Sequence, residues 1–146
     1  MEFPDLVSWL ERDEPGIKFY SGTAVYRKTL ELADDSPGSA GGQPLWLDLG
    51  DVRELAEVKV NGQSCGIVWS PPFRVDIGGA VKPGANRLEI EVVNFWPNRI
   101  IGDDGLPPEQ RLTRTNIRKL TKDTQRMESG LFGPVTLQIA GTAGDP

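Results

Sequence analysis

VKVNGQSCGIVWSPPFRVDIGGAVKPGANRLEIEVVNFWPN, residues 58–98, places four short runs of alternating apolar and polar residues between strong turn signals. Alternation at period two puts every second side chain on one face of a strand, the pattern of a half-buried sheet. Asn61-Gly62 tolerates positive φ and fits a tight hairpin between residues 57–60 and 66–69. Lys82-Pro83-Gly84-Ala85-Asn86 turns the chain into a further strand. Short strands joined in this way predict two packed sheets.

The pattern continues on both sides. Upstream, Leu45, Leu47 and Leu49 share one face, and Gly50 ends that strand before residues 51–54 turn into LAEVKV. Leu55, Val58 and Val60, then Ile67 and Val68, then Phe73, Val75 and Ile77, then Leu88, Ile90 and Val92 supply the expected core. Residues 19–32 form a first long strand whose mixed pattern leaves its buried face open. Residues 33–43, rich in Gly, Pro and small polar residues, read as a mobile loop. A last strand over 135–139 follows residues 130–134 and closes an all-β sandwich of about eight strands.

The 146 residues suffice for one domain and not for a catalytic barrel with an accessory module. Gly 17 and Pro 12 fit many turns between short strands. The formal net charge of −5 argues against general nucleic-acid binding, which draws its affinity from Lys and Arg displacing counterions. With no histidine, His-ligated zinc and imidazole-dependent nucleophilic catalysis are excluded, and the single Cys65 cannot form an internal disulfide. No run reaches membrane-spanning length and residues 1–16 lack a signal-peptide pattern, so the chain reads as soluble, with its compartment open and a secretion signal conceivable in a longer parent. The expected organisation is a linker or N-terminal extension over 1–16, a sandwich over 17–140 and a tail over 141–146. Within the extension, Trp9 and Leu10 form an apolar island suited to docking on a neighbouring domain or on the sandwich edge.

Residues 94–130 are the long stretch without strand alternation, and a long irregular insertion in a compact domain is commonly functional. Asp103-Asp104 invites a catalytic or metal-binding reading, but adjacent side chains diverge and the spacing matches no calcium loop, so a solvated or loop-orienting role is expected. Residues 111–126 carry Arg111, Arg114, Arg118, Lys119, Lys122 and Arg126 against Asp123, and Arg111, Arg114, Arg118 and Lys122 are spaced for one helical face. Such cations neutralise carboxylates of the sandwich or an adjoining domain, or recognise an acidic sugar. Nucleic acid is disfavoured, because only Phe95 and Trp96 are near enough in sequence to stack bases. Phe95-Trp96-Pro97-Asn98-Arg99 emerges at a strand end, where a Trp face beside Asn, Arg and Asp suits a sugar's C–H surface and its hydroxyls. Capping of the core by Trp96, with Asn98 and Arg99 fixing the loop, is the equal alternative. Trp69 carries the same ambiguity and leans towards packing. Gly62, Gly66 and Gly84 form no phosphate cradle, because no helix follows them.

GIKFYSGTAVYRKTLEL (16–32), LDLGDVRELAEVKVNGQSCGIVW (47–69), PPFRVDIGGAVKPGANRLEIEVVNFWPNRIIGD (71–103) and SGLFGPVTLQI (129–139) together resemble the galactose-binding-like jelly roll of family 2 glycoside hydrolases. The pieces SGTAVYRK, NFWPNRIIGDD, TNIRKLT and SGLFGPV are similar, more narrowly, to the C-terminal sandwich of family 106 α-L-rhamnosidase-like enzymes. The resemblance implies a non-catalytic accessory domain that partners an oligosaccharide or polysaccharide and the catalytic domain of a larger glycosidase, whose carboxylates lie on that other domain. It implies Trp96, Asn98, Arg99 and Asp103 as sugar-contact residues, and no cofactor, although sandwich domains of this sort sometimes carry structural calcium. A domain of this lineage serving only as a brace on a catalytic barrel is the alternative.

Overall fold

A computed structural model describes residues 3–36, 38, 43–116 and 119–139. Among them are nine strands: β1 (Thr23–Leu32), β2 (Leu45–Asp48), β3 (Asp51–Arg53), β4 (Leu55–Val60), β5 (Gln63–Val68), β6 (Arg74–Asp76), β7 (Gly84–Val93), β8 (Gly130–Gly133) and β9 (Thr136–Ile139). The order in the larger sheet is β1-β7-β4-β5, and in the smaller β6-β2-β9, with β3 and β8 forming a separate pair; every strand pairing is antiparallel. The chain is thus an all-β sandwich. A short helix α1 (Pro15–Lys18) precedes β1, and a longer one, α2 (Pro97–Asp104), follows β7.

The period-two pattern is obeyed where both neighbours of a strand are present. Ala56, Val58 and Val60 of β4 and Asn86, Leu88, Ile90 and Val92 of β7 face inward against Leu45 and Leu47 of β2. The open question of β1 is answered by Ala24, Tyr26, Leu30 and Leu32, which pack against this core. The β4–β5 hairpin turns through Asn61 and Gly62, both at positive φ (53° and 84°), as its dipeptide predicts. Ile67, expected in the core, is 58% exposed while Val68 is buried. Consecutive strand residues point to opposite faces, so only one of the two can be interior. Trp69, expected to pack, is 75% exposed; it lies just past β5, beyond the reach of the facing sheet.

Of residues 51–54, expected as a turn, the first three instead pair as β3 with β8, with Val52 opposite Leu131 and both buried. Strands of three and four residues containing Gly130 and Gly133 are too short to show alternation in sequence. Gly50 is at φ 68°, and a Cβ there would collide with the Gly133 carbonyl, so the approach of these segments requires glycine.

Residues 1–16 were open to two dockings, and Trp9 takes the one on the sandwich itself: it is 2% exposed and belongs to the main core, against which Leu6 and Phe3 also pack. Its indole Nε1 donates to the Tyr26 hydroxyl at 2.6 Å and its amide to the Ser129 carbonyl at 2.9 Å. The tail over 141–146 and Arg118 lie outside the described residues.

One buried polar side chain holds the turn into β7. Asn86 Oδ1 accepts from the Lys82 amide and Asn61 Nδ2, while Asn86 Nδ2 donates to the carbonyls of Lys82 and Gly84. Asn86→Ala removes all four of these hydrogen bonds at once and is expected to cost about 2 kcal/mol. Urea denaturation of the variant beside the parent protein measures it.

Candidate functional site

The 94–130 stretch, expected to be irregular, opens with a helix. Pro97 occupies the first turn of α2, where its fixed φ fits and its missing N–H is no loss. In α2, Asn98, Ile101 and Asp103 are buried. Gly102 admits the Phe19 ring, since a Cβ there would lie 2.6 Å from Phe19 Cγ. The described residues after α2 carry only a short 3₁₀ turn, Pro108–Gln110, followed by turns and extended chain up to β8. The helical face expected for Arg111, Arg114 and Lys122 does not form among the described residues.

A polar staple anchors this excursion to the sandwich. Asn94, just past β7, accepts from the Gly22 amide at 3.0 Å and donates to the Tyr20 carbonyl at 2.8 Å and to Ser129 Oγ at 3.1 Å. Asn98 donates to the same hydroxyl at 3.2 Å and to the Met127 carbonyl at 2.6 Å, and its Oδ1 accepts from the Met127 amide at 2.8 Å. Asn98 is therefore turned inward, 2% exposed, with its amide spent on the chain. Ser129 was not singled out from the sequence; its role arises from contacts 31 and 35 residues away that carry no local signal.

Asp103 is also inward, at 3% exposure. Its Oδ2 accepts from the Thr113 amide at 2.7 Å and the Thr113 hydroxyl at 2.6 Å, and its Oδ1 stands 2.7 Å from Arg99 Nη2 as an i,i+4 ion pair. That contact lacks hydrogen-bond alignment, leaving Asp103 Oδ1 and Arg99 Nε without hydrogen-bond partners among the described residues. Burial pushes the Asp103 carboxyl up, yet the Thr113 hydroxyl and amide, the Leu112 amide and the Arg99 charge prevail and hold it below the ordinary aspartate value. Asp104 diverges from it, as expected of neighbours, and accepts from the Lys122 amide at 2.9 Å. Among the described residues no cluster of three or more Cys, Asp or Glu side chains could hold a metal ion.

Trp96 and Arg99 differ from these two. Trp96 is half exposed and, with Ser21, Arg99, Ile100, Thr113 and Arg114, lines an open depression of about 470 Å³. Four sequence candidates thus divide into two that border this depression and two that hold the loop beneath it. Ser21, Thr113 and Arg114 complete the rim; Arg114 had been visible in sequence only as part of the basic segment. Phe95 is also half exposed beside Trp96.

No family model matches the chain. It is 36% identical, over 95% of its length, to a Formosa agariphila protein provisionally named a beta-glucuronidase, of which it covers 14%. Among solved structures it matches a rhamnosidase from Novosphingobium sp. PP1Y with a TM-score of 0.85 and 41% identity, over 94% of this chain and 13% of that one. The chain is similar to one part of larger glycoside hydrolases. A beta-D-glucuronidase from Dictyoglomus thermophilum shares the fold with a TM-score of 0.51 and 25% identity, over 64% of this domain and 16% of that chain. The domain spans between 13% and 16% of the length of these relatives, in keeping with an accessory sandwich beside a larger remainder.

Proposed function

We propose that this domain is non-catalytic and contacts carbohydrate for a larger glycosidase, with Trp96 as platform and Arg99 as polar partner. The observation that carries the reading is the half-exposed Trp96 at the edge of a depression lined by a guanidinium and the hydroxyl residues Ser21 and Thr113. A sugar ring offers an apolar C–H face and a hydroxyl rim, which such a surface complements. Asn98 and Asp103 act at one remove, as positioning residues for the loop. The non-catalytic part rests on the two adjacent carboxylates: Asp103 is buried and spent on Arg99 and Thr113, and Asp104 is directed elsewhere. Glycoside hydrolysis needs two carboxyl groups facing one bond from opposite sides.

Titration calorimetry against rhamnose- and galactose-containing oligosaccharides is expected to give millimolar binding that Trp96→Ala abolishes, and aryl glycosides should show no turnover. Turnover lost in Asp103→Asn would overturn the non-catalytic reading. A bracing role against a catalytic domain is favoured by one feature, the exposure of Leu112 at 77% close to the same loop. Absence of heat with every sugar, in a folded protein, would leave bracing as the function.

A further inference from the structure

In the larger sheet three cations meet carboxylates: Arg27 and Arg87 both reach Glu89, at 2.8 and 2.7 Å, and Lys59 reaches Glu91 at 2.9 Å and Glu57 at 3.2 Å. Between residues 111 and 126 the situation reverses, and no described cation makes a salt bridge to a described carboxylate. Arg111 donates to the carbonyls of Leu106 and Asp104, and Arg126 lies over the Phe19 ring at 5.6 Å. Arg114 has none of these engagements; it is exposed and lines the Trp96 depression. The second guanidinium of the depression, Arg99, is already balanced by Asp103 at 2.7 Å. Among the described residues lining the depression, Arg114 is thus the positive charge without a carboxylate partner, beside the exposed aromatic platform and next to Thr113 in a domain of net charge −5.

From this juxtaposition we infer that the depression selects sugars bearing an anionic substituent, a carboxylate or a sulfate ester. Arg114 receives the anion through its planar fork of N–H donors, and Trp96 stacks on the sugar's C–H face. Guanidinium matches both oxyanions in a two-point geometry that an ammonium cannot reproduce. Arg99, held by Asp103, keeps the wall of the depression polar without adding net charge. The inference rests on the carbohydrate-contacting function proposed above and narrows it to a ligand class.

The test compares three ligands by calorimetry at low salt: an oligogalacturonate, its fully methyl-esterified form with the same backbone and no charge, and a sulfated carrageenan oligosaccharide. The parent protein is expected to bind the oligogalacturonate about tenfold more tightly than the ester, with the preference fading as salt rises. Arg114→Gln should bring the affinity for the oligogalacturonate down to that for the ester, removing the preference, while Arg114→Lys recovers it only in part. Tighter binding of the carrageenan than of the oligogalacturonate, equally dependent on Arg114, identifies sulfate as the preferred anion. Equal affinity for acid and ester overturns this inference and leaves the carbohydrate-contacting function standing. No binding of any of the three overturns both. A preference for acid that survives in Arg114→Gln removes Arg114 from the role and refutes the inference as stated.

Discussion

Trp9→Ala is expected to destabilise the chain by about 4 kcal/mol, the range for removing a fully buried large aromatic ring, and to lower the melting temperature by about 10 °C or more. The indole fills the space beneath Tyr26 and Tyr20, its ring 5.7 Å from the Tyr20 ring centre, and leaves no room at Gly130, where a Cβ would lie 2.6 Å from Nε1. Truncation empties this site. It also removes the donor that the Tyr26 hydroxyl accepts at 2.6 Å. Trp9→Phe, which keeps most of the ring and loses the N–H, should cost roughly half as much. Trp69→Ala is the control, since an exposed tryptophan with no polar contact should change stability by about 0.5 kcal/mol or less. Guanidinium denaturation followed by tryptophan fluorescence and circular dichroism reads all three. If Trp9→Ala unfolds no more easily than Trp69→Ala, residues 1–16 are a detachable extension.

The second large effect lies at the helix under the depression. Asp103→Ala leaves the Arg99 guanidinium without its counter-ion and the Thr113 amide and hydroxyl without their acceptor, and is expected to cost about 3 kcal/mol at pH 7. The loss depends on pH in a fixed direction. Because the folded carboxyl titrates below its ordinary value, the unfolded chain takes up the proton first as the medium is acidified. The contribution of Asp103 is therefore complete above the unfolded pKa of about 4 and fades as pH falls through the lower folded value. The stability gap between parent and Asp103→Asn should narrow between pH 5 and about 2, measured by urea denaturation across that range. A gap that widens on acidification would contradict the ion-pair geometry. The double variant Asp103→Leu with Arg99→Met should recover part of the loss, because apolar residues of similar size fill a buried pair's place without its desolvation cost.

Binding should separate from stability at this helix. Trp96→Ala and Arg114→Gln alter exposed side chains and are expected to leave the melting temperature within a few degrees of the parent, whereas Asp103→Ala weakens both folding and the rim that Thr113 helps to form. That contrast distinguishes residues that touch a ligand from those that hold the wall.

Much of the sandwich was legible because its signals are local. Leu45 and Leu47, the Ala56–Val58–Val60 stripe beside the Asn61-Gly62 turn, and the Leu88–Ile90–Val92 stripe each declare strand and inward face within a few residues. The errors share a cause as well. Ile67 and Val68 sit side by side in an apolar run, and only the pairing of Val68 with Ala56, whose side chain is interior, decides which of them faces in. The short strands β3 and β8 exist only as each other's partners, 79 residues apart at Val52 and Leu131, too distant for any window of sequence to report.

The site divides along the same line. Sequence by itself determined the residue types that gather after β7, an aromatic, an amide, a guanidinium and two carboxylates, and the position of that cluster at a strand end. Only the tertiary structure decided their tasks. Asn98 and Asp103 turn inward because Met127, Ser129 and Thr113 return from later in the chain to meet them, while Trp96 and Arg114 meet nothing comparable and stay at the surface. A polar side chain becomes structural or available according to whether distant backbone groups satisfy it, and that depends on where the chain goes next.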